Sequence, residues 1–324
     1  MNQEHDPLAQ AMRNLDPAVN RNYGQPDSPD LALLERVMSA PIEGYSPQTK
    51  RHSWTSFSLA ASLIAFLVLA VGTFILWPTQ STVSAATPHL LEEAELDGEA
   101  TLMLKSIGES WLQQEGERKS TSVRFQFWAL EFNEDEPPQQ IDPQEVVIHT
   151  DTNGRTVLET RALGSFDSEG TRLTGPHALV PGEVLSRMEF GPGEFPHVFE
   201  DPTTVSNWAA YLRQGAGLTE NATAGEYFAA IGDLLNERKL TPEQQAGIVT
   251  MLAKLPGIKL DGRVTDRLGR SGVSFSTTTR EPGEVKDVLV VSAELGILSY
   301  ENVFIGSSRT DIQAPAVIEY TAWQ

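Results

Sequence analysis

Between Arg51 and Glu92 the chain carries no Asp, Glu, Lys or Arg, and inside that gap lies the twenty-residue run FSLAASLIAFLVLAVGTFIL, from Phe57 to Leu76. A helix of twenty residues rises about 30 Å, the thickness of a bilayer's hydrocarbon core. A helix in lipid satisfies its own backbone. Trp54 and Trp77 stand at the two ends, where amphipathic rings favour the membrane interface. Core helices seldom run so far without a charge, so the run predicts one transmembrane helix within residues 54–77.

Lys50 and Arg51 precede the helix, with Arg36 further back, whereas the first cation after it is Lys105, behind Glu92, Glu93, Glu95, Asp97 and Glu99. By the positive-inside rule the N-terminus is expected in the cytoplasm and the larger C-terminal part outside the cell membrane. A cleaved signal peptide is the competing reading, since Val83-Ser84-Ala85 resembles a small-residue cleavage site. More than fifty residues precede the run, however, and the run exceeds a usual signal core. The expected organisation is a tail (1–53), a span (54–77), a polar tether (78–88) and an extracytoplasmic domain (89–324).

The formal charge of −20 is unevenly distributed: residues 1–53 hold 5 Lys/Arg and 7 Asp/Glu, and residues 87–324 hold 19 and 37. So acidic a domain is repelled by phosphate backbones, which argues against nucleic-acid binding. Cysteine is absent, so there is no thiolate metal site, no Cys nucleophile and no disulfide framework. An exported domain of this size can hold together by its core alone, a composition that fits a bacterial envelope better than a stapled cell-surface module.

Within the tail, Asp6-Pro7, Asp16-Pro17, Pro26 and Pro29 predict extended or disordered chain over residues 1–30. Leu31, Leu34 and Met38 then share one face of a short helix that would suit a cytoplasmic protein partner or the membrane surface. Residues 90–114 are expected to be helical, with Leu104, Ile107 and Trp111 on one stripe. Residues 122–132 alternate as a strand, and 145–151 and 155–162 flank Asn153-Gly154, a strong hairpin signal. The Gly- and Pro-rich stretch 164–202 is expected to form irregular loops. Helices follow at 203–214, with Gly215 as a stop, from Thr223 to about Arg238, and from Thr241 to Pro256-Gly257; the last two open on capping-box patterns. Five short strands close the chain at 258–264, 272–278, 285–291, 296–304 and 316–322. The predicted class is α+β: an antiparallel meander or half-barrel packed with helices, preceded by one transmembrane helix.

No catalytic, cofactor-binding or metal-ligating residue emerges. The six His residues are scattered, and a lone strand histidine such as His149 is more often core or surface than ligand. Asp151-Thr152-Asn153-Gly154 begins like a calcium loop, but the twelfth position, which must close it with a carboxylate, is Ala162. The acidic run Glu131, Glu134, Asp135, Glu136 reads as a solvated loop. Neither Gly191-Pro192-Gly193 nor Gly215-Ala216-Gly217 continues into a phosphate-binding loop, and G-x-S-x-G and S-x-x-K are both absent.

The Leu15-Asp16-Pro17-Ala18 element, the single span and the acidic outer domain together resemble a group of uncharacterised actinobacterial single-pass membrane proteins. Leu255-Pro256-Gly257-Ile258, Val264-Thr265-Asp266, Gly269-Arg270, Gly272-Val273 and the strand entry Ala293-Glu294-Leu295-Gly296-Ile297-Leu298 carry the similarity, over roughly residues 225–305. In those relatives an Asp-Pro-x-Thr-Gly element precedes the returning strand; here only Gly296 of it remains. The layout is similar to that of anti-sigma factors, though this tail has no His and Cys zinc pattern. The outer domain resembles the open half-barrels of lipoprotein carriers and periplasmic sigma-factor regulators. Two compartments joined by one span, no catalytic motif and a candidate partner helix at Leu31–Met38 lead to the expectation of a non-enzymatic outer domain that senses or binds something and a tail that contacts a regulator. The alternative is a carrier of lipid or another hydrophobic ligand, for which a cavity lined by Phe125, Phe127, Val290 and Phe304 would speak, and an unrecognised envelope enzyme is the third and weakest reading.

Overall fold

The alternating apolar residues of SVRFQFWA form strand β1 (Ser122–Ala129) in the computed structural model, which describes residues 84–114, 121–131 and 138–324. Phe125 is buried on one face of the sheet, against the helices, and Trp128 on the other. The expected hairpin forms between β2 (Gln144–Thr150) and β3 (Thr156–Ala162), but its loop is longer than a two-residue turn. Asp151 Oδ1 accepts hydrogen bonds from the N–H groups of Asn153 (2.8 Å) and Arg155 (3.0 Å), and Gly154 takes a φ of 82° that only glycine adopts cheaply. The stretch expected to be loops contains a further strand, β4 (Val184–Phe190), paired with β3. It escapes the sequence pattern because it is a sheet edge: no residue along it is buried, and adjacent Val184 and Leu185 break the alternation.

Helix α1 (Ala100–Trp111) is shorter than the helix expected over 90–114, because residues 84–99 are not helical and run over the outer face of the sheet. After a single 3-10 turn (Pro202–Thr204), α2 (Trp208–Ala216) starts five residues later than the pattern suggested, at the side-chain cap of Asn207 on Ala210 N–H. Gly215 does not stop it; Gly217, in the left-handed conformation, does. Helices α3 (Ala224–Glu237) and α4 (Pro242–Leu252) begin at the two complete capping boxes of Thr223/Glu226 and Thr241/Gln244. The second ends at Leu252, ahead of Pro256-Gly257. Strands β5 (Lys259–Thr265), β6 (Ser271–Thr277), β7 (Val285–Ser292), β8 (Gly296–Phe304) and β9 (Ala316–Trp323) follow within one residue of their expected limits.

The nine strands of the described residues join one open antiparallel sheet in the order β4-β3-β2-β1-β9-β8-β7-β6-β5. Two meanders are thus sewn together where β1 pairs with β9. The main core lies between this sheet and the helices, where α3 contributes Phe228, Ile231 and Leu234, each fully buried. Each such side chain contributes about 1.5–3 kcal/mol by its removal from water. A second cluster, with Trp128, Val288, Val290, Leu298, Val317 and Tyr320, lies on the outer face. Part of its cover is the segment before α1. Ala86 N–H donates to Pro138 O (2.8 Å), Leu91 packs on the cluster, and Ala94 exchanges two backbone hydrogen bonds with Arg263 of edge strand β5, both 2.8 Å. The described end of the expected tether, Ser84 to Pro88, is therefore held against the domain.

Among the described residues no helix is long and apolar enough to cross a membrane. The run 57–76, the tail with the helix expected over 31–38, and residues 78–83 of the expected tether lie outside the described residues.

Candidate functional site

A groove of about 1380 Å³ opens where the helices leave part of β1 and β2 uncovered. Val123 and Ile148 form its sheet wall, Leu112 marks the end of α1, and Trp208, Leu240 and Met251 come from α2, the α3–α4 connection and α4. Trp208 is held there by close packing: a Cβ on Gly247 of α4 would overlap its indole nitrogen, so α4 can carry only hydrogen at that point. The apolar wall is bordered by charge. Arg238, Lys239 and Lys254 line the groove together with His197, Asp201, Glu237 and Glu243. Two of these carboxylates already serve the backbone. Asp201 caps the 3-10 turn at Thr203 N–H (3.0 Å), and Glu237 accepts from the N–H groups of Val198 (3.0 Å) and Phe199 (3.2 Å). Glu237 also lies 3.6 Å from His197 Nδ1. Arg238 donates through Nη2 to Phe199 O (2.8 Å), while its buried Nε has no partner among the described residues.

A second polar cluster is buried between α3 and β7–β9. Tyr300 Oη lies 2.7 Å from Asp287 Oδ1 and donates to it; Arg280 Nη2 reaches the same oxygen at 2.8 Å, and Asn302 Nδ2 donates to Glu319 (2.7 Å). Gly225, at the start of α3, admits this cluster beneath the helix: a Cβ there would lie 2.7 Å from Arg280 Cβ and 2.5 Å from Asp287 Oδ2. Asp233 on α3 belongs to the same neighbourhood. Burial, then the negative charges of Glu319 and Glu237, push its carboxyl up to about 7, against the pull of Arg280. Burial likewise raises Asp287 and Glu319, with Arg280 opposing in both cases. The cluster joins a helix to three strands, and the polar groups nearest Asp287 are satisfied by one another. Among the described residues no group of three or more His, Asp or Glu is arranged to hold a metal ion.

The residues singled out from sequence fall elsewhere. Asp151 is the cap of a hairpin loop, and Ala162 is fully buried on β3. His149 is exposed on β2. Gly191-Pro192-Gly193 is a turn after β4 whose Gly191 N–H is bound by Glu194 (2.8 Å), and Glu134, Asp135 and Glu136 lie outside the described residues. Phe125, Phe127, Val290 and Phe304 do not line one cavity: the first two pack in the helix-side core, Val290 belongs to the outer-face cluster, and Phe304 packs with Ala85 and Ile312. Val290 lies between helix-side Leu289 and Val291 on β7 and so points to the outer face by plain alternation, and the β8–β9 bulge at Asn302/Val303 breaks the alternation that would have put Phe304 on the side of Tyr300. The groove residues had no common sequence signal, since they come from two strands and three helix ends.

No protein-family model and no curated protein matches the chain. Among solved structures, the dehydratase domain from the CurF module of curacin polyketide synthase aligns over 70% of this chain and 82% of its own, at 9% identity and a TM-score of 0.12. A likeness of that size carries no argument about fold or function.

Proposed function

We propose that this protein is a single-pass membrane protein whose outer domain is a non-enzymatic binding and sensing module, with the groove between β1–β2 and the helices as its binding site. The groove itself carries the reading: a large apolar recess bordered by polar groups is the usual form of a small-molecule site. The charge-free run 57–76 supplies the membrane anchor, and the basic residues before it the orientation. The tail, with Leu31, Leu34 and Met38 on one face, contacts a cytoplasmic partner.

Binding is tested by extracting the full-length chain from its native membrane and weighing it intact. A small molecule is expected to remain bound and to be lost on Met251→Trp, which fills the groove; an empty chain that takes up nothing from a lipid extract would overturn the reading. Topology is tested separately, since the chain has no cysteine. Introduced thiols at exposed Gln313 (Gln313→Cys) and in the tail (Ser28→Cys) are probed with a membrane-impermeant reagent on intact cells. Only the first is expected to react, and labelling of the second alone would reverse the orientation. Deletion of residues 1–45 is expected to change transcription in the host, and an unchanged transcript profile would remove the regulatory role from the tail.

A further inference from the structure

We infer that the free edge of β4 pairs with the same edge of a second copy of this chain, antiparallel about a two-fold axis at Met188. This concerns the sheet rather than the groove, and it stands whether or not the groove binds a ligand. The two edges of the sheet differ. At β5 the segment before α1 supplies a backbone partner, Ala94, whereas among the described residues no backbone group pairs with the outer side of β4. Gly182 N–H donates to Ala162 O (2.8 Å) and Ala162 N–H to Glu183 O (2.9 Å). By the alternation of an antiparallel ladder, Thr160, Leu158 and Thr156 likewise bond to their partners Ser186, Met188 and Phe190, which turns the N–H and C=O groups of Arg187 and Glu189 outward. Such an edge is a template for another strand. Its neighbourhood is apolar as well: Val180, Val184 and Leu185 are three of the seven large apolar side chains exposed among the described residues. Charge selects the second copy as the partner and fixes the register. Arg187 and Glu189 share one face of β4, in a chain of ion pairs that runs from Arg161 through Glu159 (2.5 Å), Arg187 (2.7 Å) and Glu189 (3.2 Å) to Arg155. Their side chains stay 50% and 40% exposed, so each has a side open to a further partner. With the axis at Met188, Arg187 of each copy faces Glu189 of the other, the two exchange backbone hydrogen bonds, and the alternation of charge continues across the junction. Moving the axis one residue either way sets Arg187 against Arg187 or Glu189 against Glu189, and like charges directly opposite destabilise a strand pair. The edge is thus complementary to itself, as a two-fold interface requires.

The chain has no cysteine, so thiols can be placed one at a time in the full-length protein in its native membrane. Across the axis the two Met188 form a non-hydrogen-bonded pair with Cα atoms about 4.5 Å apart, within disulfide reach. Under copper-phenanthroline oxidation Met188→Cys is expected to give a covalent dimer on a non-reducing gel. Ser186→Cys, which faces Phe190 of the other copy, is expected to give none. Adding Arg187→Glu to Met188→Cys replaces attraction by repulsion at both ends of the junction and is expected to weaken dimerisation about tenfold. Because Arg187 also pairs with Glu159, Arg187→Pro is the second variant: it removes an outward N–H and no bond to β3, and it is expected to lose the dimer with the fold kept. No dimer from Met188→Cys, or as much dimer from Ser186→Cys, overturns the edge pairing. A Met188→Cys dimer indifferent to both Arg187 variants, in chains that melt like the parent, overturns it too, since another surface such as the membrane span would then bring the copies together.

Discussion

Asp233 shows how one side chain sets a pH dependence for the fold. Its ordinary pKa of 3.8 is raised to about 7 in the folded chain, by burial first and by Glu319 and Glu237 second. Between about pH 4 and pH 7 the folded state therefore holds a proton that the unfolded state has released. Stability is greatest below that window, falls as pH rises through it, and levels off above pH 7. Buried Asp287 and Glu319, raised in the same direction, add to the slope. Asp233→Asn keeps the shape and removes the charge, so it is expected to raise stability at pH 8 by ~1–3 kcal/mol and to flatten the fall between pH 5 and pH 8. Urea unfolding at the two pH values measures both, and an unaltered slope would show that Asp233 is not the titrating group. Gly225 makes the opposite kind of prediction. The Cβ of Gly225→Ala would overlap Arg280 and Asp287, which implies a loss of ~1–3 kcal/mol from overpacking, where an alanine in an open helix would stabilise. A gain in melting temperature would mean that α3 can shift off the sheet.

The two capping boxes act at the scale of the element. Thr223 and Thr241 each accept a hydrogen bond from the backbone N–H three residues on, and each threonine's own N–H donates to the side-chain oxygen of Glu226 (2.6 Å) or Gln244 (2.8 Å). Replacing either threonine by alanine is expected to cost about 1 kcal/mol, and the two losses should add, since the boxes share no partner. A double mutant well short of the sum would reveal coupling of α3 and α4. These starts were legible because a cap is local chemistry: Thr, Glu and Gln act within three residues of one another. Edge strand β4 was not legible for the converse reason. It buries no face, so its sequence carries no period, and pairing with β3 alone makes it a strand. The helix expected from residue 90 failed similarly. Leu91 belongs with the outer-face cluster rather than with the Leu104, Ile107 and Trp111 stripe, a difference that only contact with the sheet makes.

For the molecule as a whole, the segment before α1 matters most to how one edge of the sheet is covered. It crosses the outer face of the sheet and doubles edge strand β5 at Ala94 and Arg263. Ala94→Pro removes the N–H that donates to Arg263 O and is expected to cost ~1–3 kcal/mol. The amide of Arg263, which donates back to Ala94 O, should then exchange its hydrogen faster. Unchanged protection at Arg263 would mean that the segment does not cover this edge in solution.

Residue periodicity, turn chemistry and caps determined the strand and helix succession of the C-terminal part, and with it the α+β class. The charge-free run likewise carries the expectation of a membrane span by its length and apolarity alone. Tertiary structure decided the rest. The joining of β1 to β9 makes one sheet of two meanders, and neither strand records its partner across nearly two hundred residues of chain. Pairing within the sheet decided which face of each strand the helices cover, and the bulge at Asn302/Val303 turned Phe304 away from them. The groove and the Asp233 cluster exist only because distant elements converge. Local rules act over three or four residues, whereas a site is made of side chains whose only relation is that the fold brings them together.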